Sequence, residues 1–241
     1  MKQTDIFGVF KNLPFEKYQQ LPGLNQSTLK HLFSNDCKQQ KSYKNLHALK
    51  FGSAGHCLLL EPEKFEDIYI RAPKKLNQRK KHGKKSWLEF CELNSKKIVL
   101  SNNDWIRLQN IKEVFQIHPK IQKLLSNGNS EVSLFWNDSE YGFNCKARLD
   151  WFDIDSGKIV DLKFTNNTTK AMSFKTTQNI YSLQAAWYTR GVFQLTKKTS
   201  DFFFVFIEKF SPHFIQILKL KSEELEKGQK QVDNLIKKFS E

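Results

Sequence analysis

No apolar run in this chain exceeds the stretch Phe202 to Ile207, far short of the ~20 residues that a membrane-spanning helix needs. No membrane partner is therefore expected. Behind Met1-Lys2-Gln3-Thr4-Asp5 there is no apolar segment of signal-peptide length, as expected of a soluble cytoplasmic protein. Cysteine is sparse: Cys37, Cys57, Cys91 and Cys145 lie far apart and never form a C-x-x-C pair. That spacing argues against a zinc ribbon, and reduced thiols are expected. Acidic residues are outnumbered, 25 Asp+Glu against 39 Lys+Arg, for a formal charge of +14. Internal repeats and low-complexity linkers are absent. Against these absences stand 21 Phe and a 39% hydrophobic content in 241 residues, which can build a core and excludes global disorder. A basic surface favours polyanions, most often nucleic acid, because each phosphate neutralised releases counterions.

The whole chain, 1–241, reads as one domain in three parts. Residues 1–50 read as helical and polar, with a turn at Pro22-Gly23 and Ser27 as a helix N-cap. A helix is expected from Phe51 to Leu60, closed by Glu61-Pro62, its Gly52-Ser53-Ala54-Gly55 start small enough for close approach. Lys74 to Lys85 lacks apolar periodicity and reads as a solvated basic loop. Helical spacing resumes over Trp87–Phe90 and Asn103–Phe115, with a further helix to about Leu125. From Ser130 the period changes to two, giving strands at Glu131–Trp136, Gly142–Phe152 and Lys158–Thr165. A long helix (Ser173–Gly191), strands at Asp201–Glu208 and His213–Leu220, and a charged helix (Ser222–Phe239) complete the order. The expected class is α/β (α+β): a mixed sheet flanked by helices over 51–220, behind a helical N-terminal part and before a C-terminal helix at 221–241.

Strand alternation sorts the side chains onto faces. Asn144, Lys146, Arg148 and Asp150 share one face of the second strand; Cys145, Ala147, Leu149 and Trp151 share the other. On the third strand Asp161 and Lys163 look away from Val160, Leu162 and Phe164, so they face a cleft. Pairing through Asp155-Ser156-Gly157 brings Asp150 near Asp161. Two carboxylates at short range call for a cation between them, and hard divalent ions meet that demand through oxygen ligands. Lys163 can then hold a water or a phosphate oxygen. On the following helix Gln178, Tyr181, Gln184 and Tyr188 form a face beside the apolar stripe of Ile180, Leu183 and Trp187.

Glu131, then Asp150, then Asp161-Leu162-Lys163 and a helix together resemble the core of the PD-(D/E)XK nucleases. The position of the family's proline is taken by Leu149. Gln184-Ala185-Ala186-Trp187-Tyr188 resembles the Q-x-x-x-Y element of the nucleases related to RecB and lambda exonuclease. Phe51 to Pro62, Tyr18 to Ser27, Gly83-Lys84 with Trp87 and Phe90, and His118-Pro119 resemble blocks of the exonuclease VIII (RecE) family. The resemblance runs from about Tyr18 to Glu208.

That resemblance implies a metal-dependent 5′-to-3′ exodeoxyribonuclease that degrades linear double-stranded DNA and exposes 3′ strands for phage-type recombination. It implies two Mg²⁺ ions, replaceable by Mn²⁺, with Asp150 bridging or nearly so. Asp161 and the Leu162 carbonyl would hold the first ion, and His56 and Glu131 would support the second. Lys163 would orient and help deprotonate the attacking water. Lys146 and Arg148, with Arg79, Lys80, Lys81, Lys84 and Lys85 of the basic stretch and the Gln178, Tyr181, Gln184 and Tyr188 face, are the candidate DNA contacts. It further implies a ring-like homo-oligomer, a single-strand annealing partner, and a bacterial or phage origin. A RecB-like or Cas4-like single-strand nuclease, a site-specific endonuclease and a non-catalytic basic DNA-binding module remain alternatives. The cysteines have no cluster-like spacing, so no iron–sulfur cluster is expected.

Overall fold

The computed structural model of the chain describes residues 6–34, 43–73, 81–173 and 175–240. Its centre is a mixed six-stranded sheet in the order β1-β4-β5-β6-β7-β8. The strands are β1 (Gly8–Phe10), β4 (Asn129–Asn137), β5 (Asn144–Asp153), β6 (Lys158–Thr165), β7 (Phe202–Glu208) and β8 (Ile215–Lys219). The β6–β7 pair is parallel, because α8 (Thr168–Ser173) and α9 (Lys175–Thr196) carry the chain across; the other pairs are antiparallel.

Helices cover both faces, so each strand has apolar residues of both parities. Val132, Leu134, Leu149, Ile159, Phe202, Phe204 and Phe206 pack under α9, α10 (Ser222–Ser240) and α2 (Gln26–Ser34). Val160, Leu162, Val205 and Ile207 pack under α3 (Tyr43–Leu60), α4 (Pro62–Ile68), α6 (Asn102–Ile117) and α7 (Pro119–Leu124). Phe202 to Ile207 reads as one apolar run because β7 is buried on both sides. The α10 helix is part of the core: Val232 and Ile236 are fully buried against the α9 layer.

Several expectations need correction. The N-terminal part also holds a strand, β1, which pairs with β4 from Gly8↔Phe135 to Phe10↔Ser133; three residues are too few to display a period. Alongside α1 (Phe15–Gln20), it lays the N-terminal segment against the edge of the sheet. The helix expected at Phe51 begins at Tyr43, since Leu46 and Leu49 are exposed and draw no apolar stripe. A parallel pair, β2 (Tyr69–Arg71) with β3 (Ile98–Leu100), was not legible either. Of the basic stretch read as a loop, residues from Lys81 onward belong to α5 (Lys81–Leu93).

One break in the sheet matters most. β5 and β6 pair only from Trp151↔Val160 to Asp153↔Lys158. Beyond that point the Leu162 N–H donates to the Asp150 carboxylate at 2.7 Å, so a side chain replaces a ladder carbonyl. On the other side Glu131 has φ of 51°, between the pairs Ser130↔Trp151 and Val132↔Leu149. A non-glycine residue in this region is strained, and such strain gathers at functional sites. The alternation of β5 shifts here too: Leu149 lies in one layer and Trp151 packs in the other, against the expectation that they share a face.

Candidate active site

The break opens a site between the two helical layers. His56, from α3, reaches Asp150 from one side, Nδ1 to Oδ2 at 3.3 Å. A ligand atom each of His56, Glu131 and Asp150 falls within 4.8 Å of the others, a donor set of one imidazole and two carboxylates. Local packing sets the His56 ring: it lies 5.8 Å from the Phe164 ring, and Phe164 stands edge-on to Phe51. Gly55 is required for this, since a Cβ there would sit 2.3 Å from the Phe164 ring. Of the small residues before His56, Gly55 thus serves close approach of a β6 side chain to α3, while a Cβ on Gly52 would meet nothing within 4 Å.

From the opposite layer α9 reaches Asp161. Gln184 Nε2 donates to Asp161 Oδ1 at 2.6 Å, and Lys163 Nζ forms an ion pair with Asp161 Oδ2. That Oδ2 atom is buried and, beyond the ion pair, has no partner in hydrogen-bond geometry. Asp161 is therefore turned towards Lys163 and Gln184, beside the compact His56–Glu131–Asp150 group and within reach of the Asp150 and His56 charges.

The electrostatics follow from burial and neighbours. Burial, helped by the Asp150 charge and opposed by Lys163, pushes the Asp161 carboxyl up to about 6. Burial also works to raise Asp150, but the His56 and Lys163 charges and the Leu162 N–H outweigh it and hold the group below its ordinary value. Burial works against the Lys163 ammonium and the His56 imidazolium, and the facing carboxylates more than offset it in both. Glu131 is raised by burial and by Asp150, against the pull of Arg148. The site thus combines close carboxylates, an imidazole and a strained backbone, a donor set that fits a hard divalent cation with oxygen and nitrogen ligands.

Other predicted residues take different places. Arg148 donates Nε to Glu131 Oε2 at 2.6 Å and Nη1 to Ser133 Oγ and the Leu13 carbonyl, so it orients Glu131 and ties down the N-terminal segment. Lys146 donates to the carbonyls of Tyr18, Gln19 and Leu21, and closes the C-terminal end of α1. Both therefore hold protein groups, and both line the cleft beside α1 and α2. Gln184 likewise serves Asp161. Tyr188 is buried, and Tyr181 packs its ring on Phe204 and Phe206. Leu162 enters through its N–H while its side chain lies in the core. Lys84 and Lys85 are exposed on α5, where Lys85 pairs with Glu89, in the layer beyond α3. Arg79 and Lys80 lie outside the described residues, as do the side chains of Lys81 and Gln178. Cys57, Cys91 and Cys145 are free thiols, as expected; Cys37 lies outside the described residues.

Sequence reasoning missed Lys30. It lies on α2 within electrostatic reach of Lys163; partial burial and that second positive charge lower its pKa. The signal was the basic residue three positions after Ser27 on a helix whose Leu29 and Phe33 face the core.

Residues 21–241 match the family described as a "PDDEXK-like domain of unknown function (DUF3799)". The chain belongs to that family. Among solved structures it resembles a Eubacterium rectale protein described as a "Putative exonuclease", with a TM-score of 0.65 and 16% identity over 96% of this chain and 86% of that one. A second structure, that of SSO0001, aligns with a TM-score of 0.33 at 12% identity over 56% of this chain and 57% of that one. No curated protein matches the sequence. The mixed six-stranded sheet flanked by helices is thus that of a PD-(D/E)XK-like domain. No described helix is long and apolar enough to cross a membrane.

Proposed function

We propose that the protein is a divalent-metal-dependent nuclease that hydrolyses phosphodiester bonds. The observation that carries this reading is the His56–Glu131–Asp150 cluster beside the Lys163–Asp161 ion pair on the neighbouring strand. His56, Glu131 and Asp150 would hold the cation, with Asp161 and the Leu162 carbonyl completing its ligands. A bound divalent ion supplies an activated water and neutralises charge on the phosphoryl oxygens. The remaining work belongs to the chain. Arg148 keeps Glu131 in place, and the Leu162 N–H fixes one oxygen of Asp150. Gln184 holds Asp161, which positions the Lys163 ammonium at the site. From there Lys163 binds a phosphate oxygen or the attacking water and offsets the charge that develops in the transition state.

The finer reading is a 5′-to-3′ exonuclease on linear duplex DNA that leaves 3′ strands for recombination, using Mg²⁺ with Mn²⁺ as a substitute. What supports it is the run of sequence blocks from Tyr18 to Glu208 that resemble exonuclease VIII. The same reading carries a ring-like homo-oligomer that retains DNA between cleavages and a single-strand annealing partner for the exposed strand. The test is digestion of linear duplex DNA labelled at either end, with Mg²⁺ or with EDTA. Mg²⁺-dependent release of the 5′ label first is the expected result. Release from the 3′ end, or internal cuts in closed circles, would replace the exonuclease polarity; cleavage in EDTA would remove the metal dependence, and absent cleavage would remove the nuclease reading. Sedimentation of a monomer that remains processive would contradict the ring.

A further inference from the structure

A pocket of about 430 Å³ opens between α1, α2, β5 and α9. Its wall includes Phe15 and Tyr18 from α1, Gln26 and Ser27 from α2, Arg148 from β5 and Tyr188 from α9. The pocket flanks the acidic cluster on a defined side. Arg148 is bonded to Glu131, and Tyr188 stands one turn beyond Gln184, which holds Asp161. Any group bound here is therefore next to the carboxylates.

The chemistry of the wall is specific. Phe15 is 51% exposed, a large apolar ring left in water beside the site. It lies nearly parallel to Tyr18, at 6.4 Å and 19°, so the two rings form one aromatic platform. The Arg148 guanidinium lies 5.8 Å from the Phe15 centroid and 5.9 Å from that of Tyr18, which makes this platform electropositive. Gln26 and Ser27 add amide and hydroxyl groups able to donate and accept. An exposed aromatic face beside a guanidinium, with amide and hydroxyl groups able to donate and accept, matches a nucleobase. The volume falls within the roughly 300–1,000 Å³ typical of small-molecule sites and suits one nucleotide, not a duplex.

We propose that this pocket receives a single unpaired nucleotide of the strand cleaved at the acidic cluster, its base stacked on Phe15. The inference rests on the nuclease reading and adds to it a requirement: the duplex must open by at least one nucleotide before cleavage. Frayed or unpaired ends are then better substrates than blunt, GC-clamped ones.

The test is a binding experiment in EDTA, where no bond is hydrolysed, on linear DNA that carries one abasic nucleotide at each of the terminal positions in turn. In the wild-type protein, loss of the base at one position should weaken binding by about 5- to 150-fold, the range for one base–aromatic stack. Phe15→Ala should bind intact DNA with the same loss and show no further loss on the abasic strand, and Phe15→Trp should restore both. Phe15 is exposed, so its replacement leaves the core in place, and the abasic series uses the native protein throughout. If DNA is bound and cleaved but no position is sensitive, or the two losses simply add, the pocket holds no base and the nuclease reading stands. If linear DNA is neither bound nor cleaved with any divalent ion, both readings fall together.

Discussion

Gln184 Nε2 donates to Asp161 Oδ1 at 2.6 Å across the boundary between α9 and β6, and both side chains are buried. This one bond sets which way Asp161 points. With Oδ1 held by the amide, Oδ2 turns to Lys163 Nζ. The helix that follows β6 therefore acts on the site through a carboxylate.

Gln184→Ala should release that orientation and leave a buried carboxylate oxygen without its donor. Partners that orient a metal-site ligand typically contribute about 10- to 100-fold in metal affinity or activity. Titration of turnover with Mn²⁺ should show the apparent metal affinity reduced within that range. An unchanged titration curve would mean that Lys163 alone positions Asp161.

On the nuclease reading, Lys163→Ala removes a charge from beside the reacting phosphate. A single preorganised donor of this kind typically contributes ~10²–10³ in rate. Single-turnover cleavage should slow by that factor, while the binding isotherm for DNA moves little, since one lysine supplies few of the phosphate contacts. A fall in affinity that matched the fall in rate would make Lys163 a DNA anchor instead.

The parts that could be read from the sequence are those with a period. Lys158–Thr165 is an eight-residue strand whose alternation put Asp161 and Lys163 opposite Leu162 and Phe164, and the structure places them so. The apolar stripe of α9 was equally plain: Leu183 and Trp187 are fully buried, with Gln184 and Tyr188 turned to the site side. Three kinds of feature were not legible. Strands of three residues, such as Gly8–Phe10, are too short to show alternation. The shift of face between Leu149 and Trp151 depends on the strained Glu131 backbone opposite, a property of two strands at once. Finally, Lys146 and Arg148 fell on the correct face, yet a sequence cannot say whether a cation there meets phosphate or a carbonyl. Their partners, the Tyr18, Leu21 and Leu13 carbonyls, come from more than 120 residues away in the chain.

Gly228 permits the contact between α10 and α9. A Cβ at this position would lie 2.1 Å from the Ser182 carbonyl oxygen and 2.5 Å from its carbon, both of them backbone atoms that cannot swing aside. Gly228→Ala should therefore force the helices apart at a cost typical of overpacking, about 1–3 kcal/mol. For a chain of this size each kcal/mol lowers Tm by roughly 2–4 °C. Thermal unfolding should register a loss of about 2–12 °C. A variant as stable as the parent would show that α10 rides on α9 loosely enough to move.

Arg190 binds three carboxylates from two parts of the fold: Asp138 and Glu140 in the turn after β4, and Asp233 on α10. Its fork meets Asp138 twice, Nε to Oδ2 at 2.6 Å and Nη2 to Oδ1 at 3.0 Å, and Asp138 is fully buried. Burial alone would raise the Asp138 carboxyl; the guanidinium bonds and charge, with the Glu140 and Tyr141 N–H groups, outweigh it and hold the group below its ordinary value. A depressed carboxylate contributes stability that is complete above its unfolded pKa, ~3.9, and is lost as pH falls through the lower folded value. Asp138→Asn removes that contribution while its side-chain oxygen still accepts from the turn N–H groups. Loss of one partner from a buried pair costs about 3–5 kcal/mol. The lower end is expected here, because Asp233 and Glu140 still engage Arg190. Urea denaturation should show the variant less stable by that amount near neutrality, with the gap closing as pH falls from ~4, where the unfolded-state Asp138 takes up its proton, through the lower folded value, where the native group does. A gap that stays constant down to the acid limit would place the cost in packing rather than in the Asp138–Arg190 charge pair.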